Sequence, residues 1–124
     1  MPTPHQLGLG KRGEELACRE LRRQGYAIVA RRYRTRYGEI DIVAMDGGVL
    51  VFVEVKTRSS ERFGTPLAAV TPVKQRRLTR MALDYLARSR ISGVPCRFDV
   101  VSVAVGEDRP VVQVVTNAFG AAGR

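Results

Sequence analysis

Four charged residues interrupt two stretches that are otherwise typical of buried β-strands. The first stretch, GEIDIVAMD, carries Glu39 and Asp41, and the second, VLVFVEVKTR, carries Glu54 and Lys56. The two glycines between the stretches, residues 47–48, favour a two-residue hairpin loop because glycine tolerates positive φ. Such a loop places Asp41 opposite Glu54, and Glu39 opposite Lys56, on one face of the hairpin. The apolar residues expected on the other face are Ile40, Ile42, Val53 and Val55. A three-residue loop would separate the charges, so the arrangement depends on the turn.

Two carboxylates that face each other in a sheet need a positive charge between them or a shared proton. Directly opposite residues have Cβ atoms about 5 Å apart, and like charges at that separation are destabilising. Lys56 could supply the charge. A hard divalent cation is the stronger solution, because Mg²⁺ takes one or two carboxylates and completes its shell with water and substrate phosphate. The pattern indicates metal-assisted phosphate chemistry, although Glu39 and Lys56 could also form an ion pair without any function.

A predicted first helix, residues 6–24, brings a further acid toward the hairpin. Gly25 ends the helix. Glu14 lies on the apolar face and is expected to point inward, whereas Glu15 points about 100° away, toward solvent. The apolar face consists of Ala17, Cys18 and Leu21. Glu14 could join the acidic site or be the buried partner of an arginine.

The remaining pattern predicts the rest of the fold. A strand at YAIVARRYR precedes the charged hairpin, and RSSERFGTP after it is a loop beside the sheet. Thr71 and Pro72 are the N-cap and first residue of a second helix that ends near Arg90. RFDVVSVAV is a fourth strand and VVQVV a short edge strand. A helix of about five turns between strands three and four favours a right-handed crossover, which makes those strands parallel. The expected architecture is a single α/β domain spanning residues 1–124, with element order αβββαββ and a central mixed sheet.

Three charged residues outside the hairpin also need an interpretation. Lys74, one turn before Leu78, could reach the acids or extend to solvent. Asp99 lies two residues from Arg97, and this pair is interpreted as part of the electrostatics of the fold.

The composition restricts the class of partner. The 124 residues carry a formal net charge of +9, with arginines concentrated in residues 19–36 and 76–90. Such an excess favours nucleic acid over a membrane surface as the partner, although arginine could also simply maintain solubility. The chain has no long apolar run, and we expect a cytoplasmic protein without membrane contact. Cys18 and Cys96 lack metal-ligand spacing and are expected to be small core residues.

The longer motifs resemble a known family. Asp41, a twelve-residue gap and then Glu54-Val55-Lys56 resemble the core motif of the restriction-endonuclease-like, or PD-(D/E)xK, nucleases. The runs GKRGEELA, RYGEIDIVAMD, VFVEVKTR, RFDVV and NAF together resemble the YraN-like family of bacterial proteins. This resemblance covers nearly the whole chain.

The resemblance implies an αβββαβ nuclease core, similar to that of archaeal Holliday junction resolvases, with a short extra edge strand at the C-terminus. Glu14 matches the first-helix glutamate of the resolvases, Asp41 and Glu54 the metal-binding acids, and Lys56 the catalytic lysine. The backbone carbonyl of Val55 would complete a site for Mg²⁺ or Mn²⁺. The chain departs from the pattern at two positions, with Ile40 in place of proline and Arg32 where YraN-like sequences often show asparagine.

The implied activity is metal-dependent hydrolysis of DNA, with branched or structured DNA as the expected substrate. Few aromatic residues are placed near loops, so recognition of backbone shape is favoured over base stacking. The expected phosphate contacts are Arg34, Arg36, Arg58, Lys74 and Arg77. Paired cleavage of two strands would imply a homodimer. The alternatives are a non-catalytic nucleic-acid-binding module, and a protein-interaction factor that uses VVQVV or NAFGAAG; activity could also require an unidentified protein partner.

Overall fold

A computed structural model describes residues 4–58, 70–106 and 108–119, with side chains from residue 10 onward. The elements are, in chain order, α1 (Pro4–Arg23), β1 (Ala27–Thr35), β2 (Gly38–Asp46), β3 (Val49–Arg58), α2 (Pro72–Arg88), β4 (Cys96–Ala104) and β5 (Val111–Phe119). This order confirms the predicted mixed α/β fold, with an αβββαβ core and an additional C-terminal strand. The predicted loop RSSERFGTP begins at Arg58, the last residue of β3, and its remainder lies outside the described residues, as does the tail after residue 119.

The five strands form one sheet in the order β1-β2-β3-β4-β5. The first three strands are antiparallel, β3 and β4 are parallel, and β5 returns antiparallel to β4. The two-residue loop at 47–48 is confirmed, since Asp46 pairs with Val49 and Met45 with Leu50. The parallel β3–β4 pair confirms the predicted crossover through α2.

The two helices cover opposite faces of the sheet. On the α1 face, Leu21 packs with Ile42 and Val53 in a cluster of buried residues. On the α2 face, Phe52 and Tyr85 belong to the second cluster, and their rings meet edge to face at 5.7 Å between centroids. Each large apolar side chain buried in these layers contributes roughly 1.5–3 kcal/mol. No helix within the described ranges is long and apolar enough to cross a membrane.

The helix ends follow the sequence signals. The Thr71 hydroxyl accepts the Lys74 N–H at 3.3 Å, and Pro72 occupies the first turn of α2. This helix ends at Arg88, two residues before the predicted end. Gly25 follows α1 with φ 97°, a conformation that favours glycine. The predicted apolar face of α1 is confirmed, because Ala17, Cys18 and Leu21 are buried.

Two predictions about the last strands were wrong. Cys96 is exposed, because it is the first residue of β4 and lies at the rim of a cavity between α2 and the strand ends. The edge strand β5 has nine residues rather than five. Asn117 has φ 52° and its N–H donates to an Asp99 carboxylate oxygen at 2.9 Å, so the strand continues through a bulge to Phe119.

Asp99 is the centre of a buried polar network at the hairpin end of the sheet. Its carboxylate is fully buried and accepts hydrogen bonds from the Tyr26 hydroxyl at 2.7 Å and from the Arg97 guanidinium at 2.9 Å. Arg97 also bonds Asp46 at 2.9 Å. Burial, and then the bond to Asp99, raise the pKa of Tyr26 to about 12. This geometry agrees with the structural interpretation of Asp99, because its charge is compensated within the fold.

The approach of α1 to β3 depends on Gly13. A Cβ at this position would overlap Thr57 Oγ1 and lie 2.8 Å from its Cγ2 and 2.9 Å from its Cβ. Gly10, one turn earlier, has nothing within 4 Å of the same position. The missing side chain of Gly13 therefore brings the residue after it, Glu14, close to the sheet.

We predict opposite effects of the same substitution at these two glycines. Gly13→Ala should destabilise the protein by about 1–3 kcal/mol, because the overlap displaces α1. Gly10→Ala should stabilise it by about 0.5–1 kcal/mol, because alanine is the better helix former. Urea unfolding measures both changes. Equal effects at the two positions would contradict the close contact with Thr57.

Candidate active site

The β2–β3 ladder ends within the charged part of the hairpin. Strand pairing runs from the loop to Ile42 and Val53 and stops there. Beyond this point the Asp41 side chain replaces the backbone ladder, since its Oδ2 accepts the Val55 N–H at 2.7 Å. The N–H and C=O of one strand residue point to the same edge, so the Val55 carbonyl also faces β2. The backbone of Val55 and the carboxylate of Asp41 therefore meet where the two strands separate.

Asp41 and Glu54 lie side by side as a pair of buried acids at this position. Burial, followed by the charge of Glu54, raises the pKa of Asp41 to about 7, against the stabilising Val55 hydrogen bond. Burial also raises the pKa of Glu54, which a hydrogen bond with Asp41 opposes. A proton is therefore lost from this pair at a higher pH than from an ordinary carboxylic acid. The predicted meeting of Asp41 and Glu54 is found, although it occurs just beyond the last ladder pair.

The predicted arrangement of the hairpin faces was wrong in one respect. Ile42 packs in the α1-side core, whereas Ile40 packs in the α2-side core, so these two residues do not share a face. On β1, Arg32 lies opposite Asp41 between the flanking strand pairs, and its φ is 52°. On both strands, successive side chains therefore do not alternate strictly between the two faces of the sheet at this position. Asp41 is therefore located where β2 changes face, at the end of the regular ladder.

The expected pairing of Glu39 with Lys56 is also wrong. The β2–β3 ladder does not extend to these residues. Glu39 instead pairs with β1, where Arg34 Nη2 lies 3.4 Å from its carboxylate. Arg34 is thus engaged with Glu39, away from the acid pair.

Glu14 points inward as predicted, and two arginines hold it. Its side chain is about 10% exposed, and its carboxylate lies 3.0 Å from Arg31 Nε and 2.9 Å from Arg32 Nε. Of the two interpretations of Glu14, the structure therefore supports the buried partner of an arginine. Its negative charge still contributes to the raised pKa of Asp41. Glu15 is exposed, as expected, and lies 3.7 Å from Arg31.

The backbone at Arg32 is left-handed, with φ 52°, a conformation that asparagine adopts more readily than arginine. In this chain the arginine gains the ion pair with Glu14. Arg31 and Arg32 were not predicted as partners of Glu14. The only sequence feature that could have indicated them is that two arginines are adjacent within a predicted strand.

Basic residues from two elements surround the acid pair. The charges that lower the pKa of Glu54 are, in decreasing order, those of Lys74, Lys56 and Arg77. Lys74 and Arg77 lie in the first half of α2, and Lys56 lies near the end of β3. The alternative in which Lys74 reaches the acids is thus supported. Arg58 is further along β3, where its carbonyl accepts the Val105 N–H at 2.8 Å.

The donor set suits a hard cation that completes its shell with other ligands. Among the residues described, no cluster of three or more His, Cys, Asp or Glu side chains could hold a metal ion. The site offers two carboxylates and the Val55 carbonyl. Mg²⁺ binds through one or two carboxylates with water and substrate phosphate, so this set fits it. A cation would also stabilise the ionised forms of the two acids.

Comparisons with known proteins agree with the longer motifs. Residues 13–103 match the model of the uncharacterised protein family UPF0102. A UPF0102 protein of Symbiobacterium thermophilum is 55% identical over 114 residues, which cover 91% of this chain and 97% of that protein. A relative in Geobacter sulfurreducens is 48% identical and covers 93% of this chain and 91% of its own length. Another, in Rhodococcus opacus, is 46% identical, with coverage of 93% and 98%. The predicted YraN-like membership is thereby confirmed.

We predict that the metal-free protein loses stability as pH rises toward neutral. The pKa of Asp41 lies above its ordinary value of 3.8, so protonation favours the folded state. This stabilisation is complete below about pH 4 and is lost as pH rises through about 7. Asp41→Asn keeps an acceptor for the Val55 N–H, and should raise the free energy of unfolding by about 2 kcal/mol at pH 8. At pH 4 the gain should be close to zero.

Urea unfolding in EDTA at the two pH values measures this difference. Glu39→Gln is the matched control, because it removes an acid that is more exposed and lies on the same strand. An equal effect of Asp41→Asn at pH 4 and pH 8 would contradict the buried acid pair.

Proposed function

The chain belongs to the UPF0102 family, and from its acid pair we propose that it is a metal-dependent endonuclease that hydrolyses phosphodiester bonds in DNA. The observation that carries this proposal is the meeting of Asp41 and Glu54 at the end of the β2–β3 ladder, surrounded by cationic side chains. Two buried adjacent acids, of which the charge of Glu54 raises the pKa of Asp41, are unfavourable for the fold alone. The arrangement is favourable where a divalent cation and a phosphate occupy the site.

The residues that would hold Mg²⁺ or Mn²⁺ are Asp41, Glu54 and the carbonyl of Val55. When bound, the cation would supply a Lewis acid for the phosphate and lower the pKa of water. The Val55 N–H holds the Asp41 carboxylate in place before substrate arrives. The protein thus presents its donors in a fixed position, which lowers the cost of reorganisation during the reaction.

The surrounding side chains have separate roles in this proposal. Lys56 would stabilise the charge that develops on the phosphate or orient the attacking water. Lys74 and Arg77 would bind phosphate oxygens beside the acids. Glu14 is a positioning residue, because its carboxylate is bonded to arginines and holds Arg32 opposite Asp41.

A non-catalytic nucleic-acid-binding module is the second candidate. The observation that favours it is the net charge of +9, with arginines along α2 that could bind phosphates without any cleavage. Under this proposal, removing an acid from the site would leave DNA binding unchanged or improve it. Branched DNA as substrate, and a homodimer for paired cleavage, belong to the first proposal.

The activity is tested with a labelled panel of single-stranded, duplex, flap and four-way DNA in Mg²⁺ or Mn²⁺. We expect the wild type to cleave at least one substrate, and Asp41→Asn and Glu54→Gln each to reduce the rate at least about 100-fold. Glu39→Gln, the matched acid-to-amide control, should stay within about threefold of the wild-type rate.

Two results would decide against the endonuclease. Cleavage by Asp41→Asn at the wild-type rate would assign the activity to a contaminant. Binding of DNA without cleavage by any variant on the panel would favour the non-catalytic module.

A further inference from the structure

A second pocket lies where the β1–β2 turn meets the first half of α2. It has a volume of about 260 Å³ and is lined by Tyr37, Val73, Arg76, Arg77 and Arg80. We refer to it as the Tyr37 pocket. Three of its five lining residues are arginines, and of these only Arg77 was expected from the sequence to contact phosphate.

Among the described residues, two of the three arginines that line this pocket, Arg76 and Arg80, have no carboxylate partner. No acidic residue occurs in α2 before Asp84, and Asp84 pairs with Arg88 at 3.2 Å. Within the described part of the chain, neither Arg76 nor Arg80 forms an ion pair with a carboxylate. These two arginines are one helical turn apart, and like charges at that spacing are destabilising. An anion bound in the pocket would relieve this repulsion.

Tyr37 holds guanidinium groups around the pocket. The guanidinium carbon of Arg36 lies 5.2 Å from the centre of the Tyr37 ring, and that of Arg80 lies 5.9 Å from it. Both distances are within the range of cation–π attraction. The turn itself is fixed by Thr35, whose hydroxyl accepts the Tyr37 N–H at 3.0 Å and donates to the Gly38 carbonyl at 2.8 Å. The cationic groups are therefore positioned before any ligand binds.

The chemistry of the pocket suits a phosphate group. Guanidinium presents a planar fork of donors that matches phosphate oxygens, and clustered arginines are typical of phosphate recognition. Arg77 connects the pocket with the acid pair, because it lines the pocket and its charge lowers the pKa of Glu54. A phosphate here would consequently be a neighbour of one bound at Asp41 and Glu54.

We propose that the Tyr37 pocket binds a backbone phosphate of nucleic acid, adjacent to the phosphate at the acid pair. The inference rests on the proposed nucleic-acid substrate, and it adds Tyr37, Arg76 and Arg80 to the binding surface. A strand held at both places is fixed relative to the acids. The pocket thus positions the substrate and does not read its sequence.

The test measures DNA binding without turnover. A fluorescein-labelled duplex of 30 base pairs is titrated in EDTA, and anisotropy gives the affinity between 50 and 200 mM KCl. The pocket variant is Arg76→Gln with Arg80→Gln. The matched control is Arg19→Gln with Arg22→Gln, which removes the same charge from the exposed face of α1.

The pocket variant should bind about tenfold more weakly at 100 mM KCl. Its plot of log K against log salt should become shallower by about 0.9, because one phosphate contact is lost and each contact contributes about 0.9. The α1 control should change the slope by less than half as much. Tyr37→Phe keeps the ring and should bind as wild type, whereas Tyr37→Leu should bind more weakly. Thermal unfolding of each variant checks that it is folded.

Equal losses in the pocket and α1 variants would overturn the inference, since net charge alone would explain them. The inference would also be overturned if the pocket variant bound DNA as the wild type does but no longer bound phosphatidylglycerol vesicles. That result would indicate that the pocket binds a membrane surface. The outcome is separate from that of the nuclease proposal, because EDTA prevents metal-dependent cleavage. Pocket-dependent binding by a protein that cleaves no DNA would support the pocket and reject the nuclease.

Discussion

The hydrogen bond from the Val55 N–H to the Asp41 carboxylate determines the geometry of the candidate site. It occurs where the regular β2–β3 ladder ends, so a side chain replaces a backbone acceptor. It brings Asp41 to β3 beside Glu54 and orients the Val55 carbonyl toward the same gap. The burial of both acids then raises their pKa values, so that a nearby positive charge would stabilise their ionised forms. The positive charges of the basic residues on β3 and α2 lower the pKa of Glu54, but this effect is smaller than that of burial.

The carboxylates buried at the two ends of the sheet have different surroundings. At the hairpin end, Asp99 receives hydrogen bonds from Tyr26, Arg97 and the Asn117 backbone, so its charge is compensated. At the other end, Asp41 has the Val55 N–H and a second acid as neighbours. A fully bonded acid stabilises one arrangement of the strands, whereas two adjacent buried acids with raised pKa values are typical of sites that bind a ligand. This contrast distinguishes Asp99, whose charge is compensated within the fold, from the acid pair that is proposed as a metal site.

Much of the architecture was predictable because it depends on local patterns. The glycine loop at 47–48, the Thr71 cap and the crossover through α2 each follow from a few neighbouring residues. The acid pair was predictable from the hairpin register. The faces of Ile40 and Ile42 were not, because the alternation of side chains breaks on β2 between them, opposite the positive φ of Arg32 on β1. The arginine partners of Glu14 and the Tyr37 pocket depend on contacts between distant segments, which periodicity does not encode.

The most direct test of this account is the binding of Mn²⁺ to the purified protein, followed by electron paramagnetic resonance at pH 7.5 without DNA. The account predicts binding by the wild type and by Glu39→Gln, and a loss of about 10- to 100-fold in affinity for Asp41→Asn and Glu54→Gln. Equal affinity of the wild type and Asp41→Asn for Mn²⁺ would contradict the claim that the acid pair is a metal site.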